Sequence, residues 1–304
     1  MSKVVLAEPG HNEPPADLDP LLERLREDHG DLLKRRDDLL EAIERSPTEI
    51  AEDDEDMAGK LADFGIEVHR GLAGTGVVKK IVDGDTLILD DGREVRLVGI
   101  QAPKLPLGRA GFAEWPLARE AKAALSNLAL GRELTLSHGG RRTDRHGRLL
   151  AHLHDRSGRW IQGALITQGM ARVYSFADNR SLVEEMLGLE KAARAASRGI
   201  WAHPFYRVIS ERDAMRYLST FQLIEGRVVK VAVVRGRAYL NFAKDWRTDF
   251  TISIAPKNLR LFRKAGIDVK RYVGRMVRVR GWLRSFNGPL VEATHPEQIE
   301  VLGK

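Results

Sequence analysis

Two aspartates stand on either side of a glycine in the segment VDGDTL, which covers residues 82–87. Aspartate–glycine is a favoured pair in the tight turn of a β-hairpin. Carboxylate oxygens are also the ligands that hard cations such as calcium prefer. The pair Asp83 and Asp85 therefore predicts either a cation site at a turn or an ordinary hairpin turn, and the dipeptide alone favours the turn.

Arginines accompany this turn in two nearby segments. Arg96 lies among apolar residues in REVRLVGI, and the loop DRHGR contributes Arg145 and Arg148. An arginine within a strand needs an anionic partner, which is either a structural carboxylate or a phosphate. Asp144 is a candidate counter-ion within the loop. Two arginines beside a carboxylate turn would hold a phosphodiester and stabilise the charge that develops in its transition state.

The charge of the chain is distributed unevenly along its 304 residues. The formal net charge is +6, yet residues 1–70 carry −11, residues 71–220 carry +7 and residues 221–304 carry +10. A strongly basic body predicts an anionic partner.

Several protein classes are excluded by composition. The sequence has no cysteine, which excludes disulfides, zinc ribbons, iron–sulfur clusters and thiol catalysis. No apolar run approaches the roughly 18 residues of a membrane span. The opening MSKVVLAEPG has too short an apolar stretch for a signal peptide. We therefore expect a cytoplasmic protein with no membrane partner.

Changes in composition divide the chain into five segments. Prolines and acids predict a disordered leader over 1–20. Short, imperfect heptads predict an acidic helical hairpin over 21–70, which would dock on its own chain or pair with a second copy. A first domain over 71–205, a linker over 206–220 and a second domain over 221–304 follow.

Both domains are predicted to be small β-barrels of the OB type. Residues 71–205 contain five short strand patterns, with a helix after the third and two helices at the end. Residues 221–304 repeat five strands with a helix between the third and fourth. The fold class is mainly β with α, comprising two OB-like barrels in tandem after an N-terminal helical segment.

Residues 74–201 resemble the thermonucleases, a family of staphylococcal-nuclease-like OB-fold phosphodiesterases. The motifs that carry the resemblance are VDGDTL, VRLVGIQAP, the helix with Glu120, DRHGRLLAHL, ALITQGMARVY and LEKAARAASRGIW. The resemblance implies calcium-assisted cleavage of nucleic-acid backbones. It assigns calcium binding to Asp85 and phosphate binding to Arg96 and Arg148.

Two departures from the family pattern fall on its acidic positions. Where the family reads D-[AT]-P-E, residues 101–104 read QAPK. Gln101 offers a neutral amide oxygen in place of a calcium carboxylate, and Lys104 replaces the glutamate that would activate water. A cationic lysine binds phosphate but hardly accepts a proton. We expect a site that holds phosphate and binds calcium weakly. Glu114 or Glu120 could substitute for the missing acid, but nothing in the sequence places either at the attacking water.

Basic and aromatic residues alternate in the second domain. OB folds bind nucleic acid by stacking bases on aromatic rings that lie beside arginines. The alternative for this domain is that the aromatic rings belong to the hydrophobic core and the charged side chains form a solvated face. The candidate nucleic-acid residues are Tyr239, Trp246, Arg275, Arg278, Arg280 and Trp282.

Three functions remain open at this point: an active nuclease with an altered metal site or base, a nucleic-acid binder that has lost cleavage, and a protein-interaction module. The replaced carboxylates favour the binder. Single-stranded DNA or RNA is the expected partner.

Overall fold

The computed structural model describes residues 72–243, 245 and 249–303. The leader predicted over 1–20 and the helical hairpin predicted over 21–70 lie outside these residues. All described residues belong to one compact unit.

The first barrel and its helices follow the predicted order. The strands are β1 (Leu72–Asp83), β2 (Thr86–Leu89), β3 (Glu94–Leu97), β4 (Ile100–Gln101), β5 (Glu133–Ser137), β6 (Leu149–Asp155) and β7 (Arg172–Val173). The helices are α1 (Ala118–Ala129), α2 (Ile161–Thr167) and α3 (Val183–Ala195). Five strands close the barrel in the order β1-β2-β3-β6-β5, while β4 and β7 form a separate antiparallel pair.

Alternation along β3 shows how the sequence positions the site. Val95 and Leu97 are buried in the barrel core, whereas Glu94 and Arg96 lie on the outer side. Such period-2 alternation is the ordinary consequence of strand geometry. Helices α1, α2 and α3 pack their apolar faces against the barrel and share one hydrophobic core with it.

The second sheet has the same strand order. Its strands are β8 (Ile209–Ser210), β9 (Phe221–Arg227), β10 (Lys230–Val234), β11 (Arg237–Asn241), β12 (Thr251–Ile254), β13 (Met276–Ser285), β14 (Pro289–Glu292) and β15 (Ile299–Leu302), and helix α4 is Pro256–Lys264. The order is β10-β11-β12-β14-β13-β9-β8, with β15 on β13. Strands β9 and β10 are separated by only two residues, so we treat these strands as one bent strand. The order then matches the first barrel, including a parallel pair, β12–β14, in the place of β3–β6. For the described residues the predicted fold class is confirmed: the chain is mainly β with α, with a closed OB-type barrel, helices after it and a second strand-rich region. The N-terminal helical segment lies outside these residues.

Some boundaries differ from those expected. The helix predicted between the third and fourth strands of the second domain is α4, and it ends at Lys264 because Gly266 takes a left-handed φ of 70° that ends the helical geometry. The stretch 206–220, expected as a linker, contributes β8 to the sheet and Ile209 to the second core. None of the described helices has the length and apolar character needed to cross a membrane.

A buried ion pair joins the two barrels. Arg280 of β13 places Nη2 2.7 Å from Glu190 of α3 and 2.7 Å from Glu300 of β15. Arg280 and Glu190 are both almost fully buried. The sequence-based expectation that Arg280 contacts nucleic acid is therefore wrong, since the other barrel covers its guanidinium.

This ion pair predicts a large loss of stability when one partner is removed. Glu190→Gln leaves much of the Arg280 charge buried without compensation, and we expect the free energy of unfolding to fall by about 3 kcal/mol. The double variant Glu190→Gln, Arg280→Met should recover part of that loss, because no buried charge is then left unpaired. Urea unfolding of the wild type, both single variants (Glu190→Gln and Arg280→Met) and the double variant measures both effects. Additive losses in the double variant would contradict the coupling.

Candidate functional site

The VDGDTL turn joins β1 to β2 and is packed against its surroundings. A Cβ atom added at Gly84 would lie 2.6 Å from the Cβ of Ala102 and 2.8 Å from the Cβ of Ala121 in α1. Only glycine allows so close an approach. The glycine thus lets helix α1 and the segment after β4 close over the turn, and this burial encloses the side chain of Asp85.

The buried carboxylate of Asp85 is surrounded by donors. The backbone amide of Ala102 lies 2.7 Å from Oδ2, and Arg96 Nη2 lies 3.2 Å from the same oxygen. Lys104 Nζ lies 2.7 Å from Oδ1 and 2.7 Å from Oδ2. Burial alone would raise the pKa of Asp85, but the charges of Arg96 and Lys104 outweigh burial and hold that pKa well below its usual range. The carboxylate is ionised and its charge is already compensated.

Lys104 lies between both acids of the turn. Its Nζ atom is also 3.4 Å from Oδ2 of Asp83. Burial and the neighbouring charge of Asp85 raise the pKa of Asp83. The ammonium therefore lies against the two carboxylates that a bound cation would need, and its side chain keeps 20% exposure.

Arg96 is committed to the architecture of the site. Its Nη1 donates to the carbonyls of Asp85 and Leu97 at 3.1 and 2.7 Å. Its Nη2 donates to the carbonyl of Ile100 at 2.6 Å and faces the carboxylate of Asp85. These four oxygens match the four hydrogens of the two terminal nitrogens. The sequence predicts either a structural carboxylate or a phosphate as the anionic partner of Arg96. In the structure this partner is the carboxylate of Asp85.

Gln101 has an unforeseen partner across the β4–β7 pair. Its Oε1 atom accepts hydrogen bonds from Nε and Nη2 of Arg172 at 2.9 and 2.7 Å. Burial lowers the pKa of Arg172 to about 10, and its guanidinium lies 4.6 Å from the ring centroid of Phe221. The amide oxygen at the replaced carboxylate position is therefore engaged with a buried cation.

Sequence reasoning did not single out Arg172. The one available signal was an arginine inside the apolar run of ALITQGMARVY, the same signal that drew attention to Arg96.

Arg148 lies on the same outer side of the sheet as Arg96. Strands β3 and β6 pair in parallel with Arg96 opposite Leu150, so Arg148 falls two positions before that pair. Its Nε and Nη2 lie 2.8 and 2.6 Å from Oδ2 of Asp144. The expected internal counter-ion is confirmed. In the same loop Arg145 is exposed.

The residues of the site do not fit the calcium ion that the resemblance implies. The ammonium of Lys104 lies against both Asp85 oxygens, and Gln101 faces Arg172. Among the described residues, no group of three or more histidine, aspartate or glutamate side chains is arranged to hold a metal. Glu114 pairs with Arg119 at 3.0 Å, and Glu120 is exposed on α1.

The candidate residues of the second barrel have different environments. Arg278 is largely buried and paired with Glu225 and Glu300. Arg275 and Trp282 are exposed, and Tyr239 is half-buried. Trp246 lies outside the described residues. Arg278, like Arg280, is thus engaged in ion pairs within the protein.

A closed OB-type barrel with a carboxylate turn, a parallel β3–β6 pair and closing helices defines a staphylococcal-nuclease-like domain. Residues 94–203 match the model of the family described as staphylococcal nuclease homologue. The chain is 36% identical over 140 residues to protein ParB of Escherichia coli, covering 42% of this chain and 73% of that protein. The chain belongs to the staphylococcal nuclease homologue family.

Two further relatives match over a similar length. Identity is 28% over 136 residues with endonuclease YhcR of Bacillus subtilis, which covers 41% of this chain but 11% of YhcR. Identity is 30% over 142 residues with an uncharacterised protein of Bacillus anthracis, covering 42% of this chain and 60% of that protein. The match to YhcR thus concerns a small part of a much longer protein.

The geometry predicts that Lys104 stabilises the fold through the acids of the turn. Lys104→Met leaves Asp83 and Asp85 with Arg96 as their remaining cation, and we expect a loss of about 1–3 kcal/mol in the free energy of unfolding at pH 7. Lys79→Met, which removes an exposed lysine, should change it by less than about 0.5 kcal/mol.

The loss should depend on pH. The lowered pKa of Asp85 contributes stability at pH values above 3.8, the ordinary pKa of aspartate. This contribution declines as the pH falls from 3.8 towards the pKa of the folded state, because the carboxylate becomes protonated. The stability difference between wild type and Lys104→Met should therefore shrink in acid. Chemical unfolding at pH 7 and pH 3 measures both quantities. Equal losses for the two lysine variants would contradict the role of Lys104.

Proposed function

We propose that this protein binds the phosphodiester backbone of nucleic acids and that its calcium-dependent cleavage is weak or absent. The observation that carries the proposal is the Lys104 ammonium, 2.7 Å from both oxygens of Asp85. A tethered cation thus compensates the acids that would otherwise attract a metal.

The loss of cleavage follows from the chemistry of the replaced residues. Hydrolysis needs a group that accepts a proton from the attacking water. A charged lysine has three donors and no acceptor, so Lys104 cannot serve as that base. Gln101 is neutral and engaged with Arg172. The residues at the two replaced positions, Gln101 and Lys104, therefore supply neither a base nor an anionic metal ligand.

Retention of binding is supported by charge and exposure. The loop between β5 and β6 carries the exposed arginines Arg141, Arg142 and Arg145. At its end, Arg148 is only half-buried and is held by Asp144. A phosphate oxygen is the same kind of acceptor as that carboxylate and can compete for the guanidinium. Backbone binding of this kind releases counterions and weakens with salt.

A second candidate is an active endonuclease on single-stranded DNA or RNA with an altered metal site or base. The similarity to an endonuclease over 136 residues and the presence of both turn acids favour it. In both candidates the expected substrate is single-stranded, and the proposed location is the cytoplasm.

A cleavage assay separates the two candidates. Purified protein is incubated with end-labelled single-stranded DNA and RNA, first with calcium and then with chelator. We expect no calcium-dependent product, and we expect binding measured by anisotropy to be the same under both conditions. Efficient calcium-dependent cleavage that Asp85→Asn abolishes would refute the binding proposal in favour of the endonuclease.

The double variant Gln101→Asp, Lys104→Glu provides the matched gain-of-function test. It restores both acidic positions of the family pattern, and we expect it to cleave faster than wild type in calcium. Gln101→Asp alone should not, because the new carboxylate faces Arg172 while Lys104 still covers Asp85. A single variant as active as the double would show that Lys104 does not block the site.

A further inference from the structure

Three exposed side chains stand at every second position along the end of β13 and the turn that follows it. Trp282 is 44% exposed, Phe286 is 63% exposed and the Arg284 side chain is 70% exposed. Leu283, between the first two, is buried in the second core. We call Trp282, Arg284 and Phe286 the β13 ladder. Exposed aromatic rings on either side of an arginine are unusual on a protein surface without a partner.

Contacts hold one end of the ladder in place. Trp282 Nε1 donates to the hydroxyl of Tyr174 at 2.9 Å, and its ring packs edge-on against Phe221. Tyr174 follows β7, so the indole lies where the two barrels meet. The ring is therefore oriented by the protein although it remains exposed.

Arg284 is available for a ligand. Among the described residues, the carboxylate nearest to it in an ion pair is that of Glu292 at 3.8 Å. Glu292 also faces Arg237 at 3.6 Å, so its single charge is divided between two guanidiniums. This arrangement leaves a net positive charge between the two aromatic rings.

The spacing of the ladder selects among nucleic acids. Trp282 and Phe286 are four residues apart, and four residues of extended chain span about 13 Å. That separation is nearly four times the roughly 3.4 Å rise per nucleotide within a duplex strand. Rings at this spacing can stack on the separated bases of an extended single strand, whereas the bases of a duplex are paired and stacked on each other.

The position of the ladder in the barrel agrees with this ligand. The loop from β13 to β14 connects the fourth and fifth strands of the second barrel, as the arginine-rich loop from β5 to β6 does in the first. OB folds bind oligonucleotides with these loops. Aromatic stacking combined with arginine is their sequence-tolerant mode of single-strand binding.

We propose that Trp282, Arg284 and Phe286 bind single-stranded nucleic acid by stacking its bases on the two rings while Arg284 faces the strand. The proposal rests on the function proposed above, to which it adds the surface and the residues responsible for single-strand binding. The sequence pointed to Trp282, but it assigned the charges to Arg278 and Arg280, which are engaged in ion pairs, and did not select Arg284 or Phe286.

Fluorescence anisotropy with a labelled oligothymidylate and with a labelled duplex tests the ladder on the full chain. Stacking contributes about 1–3 kcal/mol per base, so Trp282→Ala and Phe286→Ala should each weaken single-strand binding by about 5- to 150-fold. Duplex binding and the salt dependence of single-strand binding should not change, because no phosphate contact is lost. Val301→Ala, which truncates another exposed apolar side chain, should have no effect.

The outcomes distinguish the ladder from the proposed function. If both alanine variants bind the single strand as tightly as wild type, the ladder is refuted while backbone binding stands. Equal losses for single strand and duplex also refute base stacking. If wild type binds neither probe, the proposed function fails as well. Thermal melting confirms that each variant is folded, and Phe286→Trp should retain binding because it preserves the aromatic ring.

Discussion

The site depends on a buried carboxylate whose charge is compensated from within the chain. Asp85 is enclosed by the packing of α1 and of the segment after β4 on the Gly84 turn. A carboxylate in such a place requires cations and hydrogen-bond donors. Lys104, Arg96 and the Ala102 amide provide them, so the turn is electrostatically complete without a metal. The replacement of glutamate by lysine thus changes both the chemistry and the charge balance of the site.

A second substitution completes the change. With glutamine at position 101, Arg172 has a neutral hydrogen-bond partner, and burial lowers the pKa of this arginine to about 10. The two replaced positions therefore leave more positive charge around the turn than two acids would. A more positive site favours phosphate over divalent cations. This charge balance is the physical argument for our proposal that this member of a nuclease family binds nucleic acid with weak or no hydrolysis.

Much of this architecture could be predicted from the sequence, because it depends on local patterns. The VDGDTL turn, the alternation of β3 and the need of Arg96 for an anion all follow from short segments. The burial of Arg280 could not be predicted in this way. It lies on the outward side of β13, in phase with Trp282 and Arg284, and it is buried only because α3 of the other barrel places Glu190 over it. Likewise, the Gln101–Arg172 contact joins residues 71 positions apart.

Calcium titration calorimetry of the wild-type protein at neutral pH shows whether the acids of the turn are still free to bind a metal. If the Lys104 ammonium already compensates Asp83 and Asp85, titration with calcium chloride to millimolar concentration should give only the heat of dilution. One calcium bound per chain, with binding lost in Asp85→Asn, would show that Lys104 does not keep a metal from the turn.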